Sequence, residues 1–256
     1  KASNFRGFFI FSKFTKKSPM NLKTKMNNVL FLDIETVPQE TSYLGMDEET
    51  KKLWEQKTQY QRKDEVTAED FYERAGIWAE FGKIITISVG YFVNKADVRN
   101  FRVTSFWGEE KKILQDFSNL LNQHYNGAQH VLCGHNAKEF DIPFIARRMI
   151  INSVALPDKL NLFGKKPWEV PHLDTLELWK FGDYKHFTSL KLLTKVLGVP
   201  SPKGDIDGSE VARVFYIEND IDRIITYCEK DVIAVAQVFL RFRREDLLID
   251  DEIIHV

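Results

Sequence analysis

The run Val29-Leu30-Phe31-Leu32-Asp33-Ile34-Glu35-Thr36 decides how the rest of the chain is read. Its first four residues are apolar and include a β-branched Val and an aromatic Phe, the composition of a strand buried in the middle of a sheet. The run then turns acidic. Side chains alternate across a strand, so Asp33 and Glu35 share a face, close together at the end of a segment that is otherwise dry. Two like charges so placed raise each other's pKa and lose hydration, and a divalent cation between them would answer both costs. The plain alternative is a strand that has already ended, with both carboxylates in water.

Composition bounds what surrounds this strand. A chain of 256 residues with 43% hydrophobic and 13% aromatic content can bury the core of one large domain. No run of about 18 apolar residues exists, so no membrane-spanning helix is expected. Cys133 and Cys228 both lie in apolar segments, which predicts two reduced core thiols and a cytoplasmic protein rather than a disulfide framework. Charge is uneven: residues 1–27 carry seven Lys or Arg and no acid, leaving 29 basic and 37 acidic residues for the remainder, a net of −8. A protein gripping long duplex through many phosphates shows the opposite balance, so any hold on nucleic acid should be short, local and metal-assisted.

The basic leader 1–27 reads as a disordered extension, 28–245 as the folded domain with a helical insertion over 39–82, and 246–256 as a C-terminal tail. In the insertion, Asp47-Glu48-Glu49 opens a helix that includes Leu53 and Trp54. The aromatics of Ile77-Trp78-Ala79-Glu80-Phe81-Gly82 suit either stacking on a base or packing in the core. Residues 84–92 and 98–107 predict a two-stranded meander, and 109–125 an amphipathic helix with Ile113, Leu114, Phe117, Leu120 and Leu121 on one face. A short buried strand over 129–136 leads to a helix from about Pro143, before which Asp141 is placed either to cap the helix or to serve a site. Residues 169–173 suggest an outer strand. A final helix over 220–242, with Asn219 as its expected cap, carries Tyr227 and Asp231 four residues apart on one side.

Each acid has an ordinary explanation alone, but their conjunction resembles the DEDD superfamily of 3′-to-5′ exonucleases, in the subtype with tyrosine in the third motif. The motifs read Phe31-Leu32-Asp33-Ile34-Glu35-Thr36, Asn136-Ala137-Lys138-Glu139-Phe140-Asp141 and Tyr227-Cys228-Glu229-Lys230-Asp231; Thr226 stands where the histidine subtype would differ. The resemblance runs from about Val29 to Phe242 and is nearest to stand-alone bacterial exonucleases related to the proofreading domain of family B DNA polymerases. It implies an α/β, ribonuclease H-like fold, a mixed five-stranded sheet flanked by helices on both faces. It also implies two divalent cations, Mg²⁺ or Mn²⁺, suited to hard oxygen ligands. By the same resemblance Asp33, Glu35, Asp141 and Asp231 hold the metals and Tyr227 orients the attacking water.

The activity so implied is release of nucleoside 5′-monophosphates from a single-stranded 3′ end, DNA before RNA. An exoribonuclease of the same fold and a catalytically silent binding scaffold are the alternatives. Asn136, Phe140, Arg147 and Lys185 are candidate substrate contacts, with Arg148, Lys180 and Lys191 as further phosphate candidates.

Overall fold

The computed structural model describes residues 22–63, 65–95, 98–183, 185–200 and 206–256. Strand β1 (Val29–Pro38) is covered on both faces. Leu30, Leu32 and Ile34 enter one hydrophobic cluster, while Val29 and Phe31 enter another. Alternation therefore carries Asp33 and Glu35 onto the Phe31 face.

Around β1 the chain builds, in order, α1 (Glu48–Thr58), β2 (Gly82–Lys95), β3 (Val98–Trp107), α2 (Glu110–His124), β4 (Val131–Gly134) and α3 (Asp141–Ile151). Then follow β5 (Leu173–Asp174), α4 (Thr175–Lys180), α5 (Leu190–Leu197), a short α6 (Val211–Arg213), α7 (Ile221–Arg243) and β6 (Ile253–His255). The sheet order is β5-β4-β1-β2-β3-β6. Strands β1, β2 and β3 form an antiparallel meander, and β4 and β5 add in parallel on the other side of β1. Helices α2 and α3 pack on the Leu30/Leu32 face, and α7 packs on the Phe31 face. This is the mixed α/β architecture expected, with helices on both sides.

Several boundaries differ from the sequence reading. The sheet has six strands, not five, because the tail expected over 246–256 returns as β6, parallel to β3. Arg99 pairs with Glu252 at 2.8 Å, and Thr104 Oγ1 donates to the Val256 carbonyl at 2.6 Å. A three-residue strand is too short to leave a periodic signal, and what secures it is the open edge of β3. The outer strand expected over 169–173 is reduced to Leu173–Asp174, since Pro171 has no N–H to give a ladder. Helix α7 is capped by Asp220, whose side chain accepts from the Arg223 N–H, while Asn219 adopts a left-handed φ of 54°. Residues 1–21 of the leader lie outside the described residues. From Leu22 onward the chain is tied down: Arg243 donates to the carbonyls of Leu22 and Thr24, and Leu22 and Met26 pack against the Phe31 cluster.

The insertion has a small core of its own. Asp47 caps α1 as expected, and Trp54, fully buried, donates its indole N–H to the Ala68 carbonyl at 2.7 Å. Phe71, Tyr72, Trp78 and Phe81 close around that indole with ring centroids 5.1–6.1 Å away. Trp78 and Phe81 therefore hold the insertion together rather than presenting faces to a base.

The Phe31 face depends on one glycine. Phe31 makes edge contacts with Phe92, Phe101 and Phe239 at 5.7–5.9 Å, and Gly90 lies opposite Phe31 on β2. A Cβ at Gly90 would collide with the Phe101 ring and come within 2.8 Å of Val232 Cγ1 on α7. Gly90→Ala is expected to destabilise the fold by about 1–3 kcal/mol through overpacking, read as a lower midpoint in urea unfolding.

Candidate active site

Three separate segments deliver carboxylates to one end of β1. Asp33 and Glu35 face α7, opposite Ser88 and Thr86 on β2, both fully buried. Glu35 is only 8% exposed. Asp141 arrives from the first residue of α3 and is 3% exposed. It does not cap its own helix; no side-chain cap bond is made at the start of α3. Instead Asp141 Oδ1 accepts the Ile34 backbone N–H at 3.1 Å. The reason lies in the sheet: β4 pairs with β1 only as far as Phe31, so the β1 edge beyond it has N–H groups to satisfy. Tyr227 and Asp231 come from one side of α7, with Cys228 between them at the core face.

The electrostatics are those of crowded, desolvated acids. Burial, then the charges of Asp141, Glu35 and Asp231, push Asp33 well above the usual carboxylate range. Burial, then Asp231 and Asp141, do the same to Glu35. Burial raises Asp141 to about 7. Burial also raises Asp231 to about 6, partly offset by a hydrogen bond from Tyr227. The Tyr227 hydroxyl is itself driven upward by burial and by Asp231, Glu35 and Asp33, so it stays protonated and acts as a donor. Among the described residues no cationic group is a main influence on any of the four acids.

That charge imbalance fits a divalent cation. Ligand atoms of Asp33, Glu35 and Cys228 lie within 4.8 Å of one another. Thr86, opposite Glu35, keeps a buried hydroxyl with no partner. Oxygen predominates in the donor set, the chemistry of Mg²⁺ or Mn²⁺. Burial and the neighbouring Asp33 and Glu35 push the Cys228 thiol up, so it remains S–H and donates to Asp33 Oδ2 at 3.4 Å.

Sequence reasoning missed Cys228 and Asp174. Asp174, 1% exposed, caps α4 and also accepts the backbone N–H groups of Asn136 at 2.9 Å and Lys138 at 3.0 Å. It buttresses the turn that aims Asp141, and its charge adds to the pressure on that residue. Its one sequence signal is an acid just before a helix.

The expected substrate contacts scatter. Asn136 serves the turn itself, with a left-handed φ of 64° and a carbonyl that accepts from the Glu139 and Phe140 N–H groups. Phe140 is partly buried against Phe144, with centroids 5.4 Å apart, so its ring is held by the core beside Asp141. Arg147 is exposed and lines a separate cavity of about 560 Å³ between α3 and residues 156–170, which none of the four acids lines. Arg148 is not a phosphate contact: it is buried in an ion pair with Glu110 at 2.5 Å and donates to the Ala79 carbonyl. Lys180 pairs with Glu139 at 4.0 Å, and Lys191 is exposed on α5. Lys185 is exposed three residues before Thr188, whose carbonyl His135 ties to the end of β4 by a 2.9 Å bond.

In the metal-free protein, the folded state binds protons more tightly than the unfolded state at Asp141 and Asp231. Stability is therefore expected to fall as pH rises from about 4, the unfolded carboxylate value, to about 7, where Asp141 has ionised. Melting curves in EDTA across this range check the sign, and Asp33→Asn should raise the melting temperature near pH 7 by relieving like charge.

Comparison with known proteins gives a consistent family and fold. The family model described as a predicted 3′-5′ exonuclease related to the exonuclease domain of PolB matches residues 77–253. That span holds Asp141, Tyr227 and Asp231, and Asp33 and Glu35 precede it. Among solved structures, the family B DNA polymerase from the hyperthermophilic archaeon Pyrobaculum calidifontis superposes with a TM-score of 0.50 at 15% identity, over 83% of this chain. The chain spans 24% of that polymerase, and at this identity the likeness is one of fold. No curated protein matches the chain.

Proposed function

The chain belongs to the family of predicted 3′-5′ exonucleases related to the exonuclease domain of PolB, and from that membership we propose a divalent-metal-dependent enzyme that removes nucleoside 5′-monophosphates from the 3′ end of single-stranded DNA. The observation that carries the reading is the convergence of Asp33, Glu35, Asp141 and Asp231 from β1, α3 and α7, with no cation among the described residues as a main influence on them. A fold that bears such repulsion at one buried point has a use for it. The relation of the family to a DNA polymerase domain supports DNA over RNA, and the acidic body supports a short contact with single strands over a grip on duplex.

The four carboxylates would hold two divalent cations, Mg²⁺ or Mn²⁺. Bound there, the cations would supply the charge that admits a phosphodiester, activates water at neutral pH and steadies the leaving 3′ oxygen. The protein's own groups do the positioning. Asp141 is fixed against β1 by the Ile34 N–H, which holds that carboxylate at the cluster whatever α3 does elsewhere. Tyr227, protonated and bonded toward Asp231, would present its hydroxyl to orient water without serving as a base.

Lys185 is the stronger of the two proposed phosphate contacts, because its loop is anchored at the end of β4, next to the turn that leads to Asp141; Arg147 lines a different cavity. Residues 28–245 together with the β6 strand would form the exonuclease domain. Two free, buried thiols suit the reducing cytoplasm. Among the described residues no helix is long and apolar enough to cross a membrane.

A 5′-labelled single-stranded DNA oligonucleotide is expected to shorten stepwise from its 3′ end with Mg²⁺ or Mn²⁺, to survive in EDTA, and to survive with Asp33→Ala. A ladder on RNA but not DNA would make the enzyme an exoribonuclease, and no product from either would make it a silent scaffold. Tyr227→Phe should slow turnover by roughly 10²-fold while Mn²⁺ affinity is retained; unchanged turnover would remove Tyr227 from the mechanism.

A further inference from the structure

A line of polar groups runs away from Asp33 within the α7 side of the sheet, a layer otherwise built of aromatic and aliphatic side chains. Asp33 on β1 stands opposite Ser88 on β2, and Ser88 stands opposite Ser105 on β3. Opposed residues of antiparallel strands share a face, so three neighbouring strands carry a polar residue at the same level. The Cys228 thiol, from the core face of α7, donates to Asp33 Oδ2 at 3.4 Å. The Ser88 and Ser105 hydroxyls are 2.8 Å apart, and Ser105 donates to Glu229 Oε1 at 2.8 Å. The other Glu229 oxygen meets His255 Nδ1 on β6 at 2.7 Å.

Such a line is costly in an apolar layer unless it performs a task. Ser88 and Cys228 are fully buried, and each polar group there has given up water for its partners. A carboxylate turns about its Cβ–Cγ bond, and in a cluster of repelling acids nothing intrinsic holds its plane. A donor on one oxygen removes that freedom and leaves the other oxygen with a defined direction. Donors standing behind metal-binding carboxylates affect metal affinity nearly as much as the ligands do.

We propose that Cys228 is a positioning residue for Asp33: its thiol, held in the core by α7, fixes the orientation in which the Asp33 carboxylate receives a divalent cation. The inference rests on the reading of Asp33 as a metal ligand.

The test is Mn²⁺ titration calorimetry on the full chain, with melting curves alongside. Cys228→Ala removes the donor and should weaken Mn²⁺ binding about tenfold, whereas Cys228→Ser keeps a hydroxyl and should stay within about threefold of the parent. Cys228→Val refills the space without a donor and should weaken binding as Cys228→Ala does, which carries the test if Cys228→Ala does not fold. A thiol that only fills space would lower the melting temperature in Cys228→Ala and Cys228→Ser and leave Mn²⁺ affinity unchanged, which overturns the proposal. So would a parent-like Mn²⁺ affinity in Cys228→Val. If the parent protein binds no Mn²⁺ and digests neither DNA nor RNA, the proposed function fails and this inference falls with it. If the parent binds Mn²⁺ and Cys228→Ala binds equally well, the inference alone fails.

Discussion

Like charges crowded at the rim of the core, Glu35 and Asp141 buried and Asp33 and Asp231 half-buried, set the terms for this structure. Asp33, Glu35, Asp141 and Asp231 each lose hydration, neighbouring carboxylates raise the first three further, and among the described residues no lysine or arginine is a main influence on any of them. Left alone, such acids would splay apart or pull their segments into solvent. They stay because each is carried on an element whose apolar side is pinned elsewhere. Strand β1 is held by hydrophobic clusters on both faces, and α7 buries Val232, Val235 and Phe239 along the same helix that bears Asp231. The hydrophobic effect, non-directional and spread over many residues, holds in place a small cluster that opposes folding.

Directional bonds then refine what packing positions. The sheet leaves β1 unpaired beyond Phe31 on its β4 side, and Asp141 answers with a bond to Ile34. Asp174 does the corresponding work one level out, collecting the N–H groups of the turn that delivers Asp141. Neither bond is strong by itself, on the order of 1–3 kcal/mol for a charged acceptor. Each nevertheless removes a backbone donor that would be orphaned in a buried place, and so links the geometry of the site to the integrity of the sheet.

Much of this was legible in the sequence. The apolar-to-acidic turn at Asp33, the four-residue spacing of Tyr227 and Asp231, and the acidic helix start at Asp47-Glu48-Glu49 are local signals, and the structure contains each of them. The readings that changed involved one residue serving distant partners. Asp141 has the sequence position of a helix cap, but its carboxylate bonds a residue 107 positions earlier. Arg148 looks like a free cation on a helix, and Glu110 from another helix takes it out of solvent.

By itself, the sequence determined the elements, their amphipathic faces and the set of acids, because those depend on periods of two and 3.6 residues and on spacing within one segment. Tertiary structure alone decided which acids meet, that the C-terminal residues close the sheet as β6, and that the Cys228 thiol meets Asp33. Strand register is fixed by the packing of both sheet faces at once, and that packing depends on pairs of residues far apart in the chain.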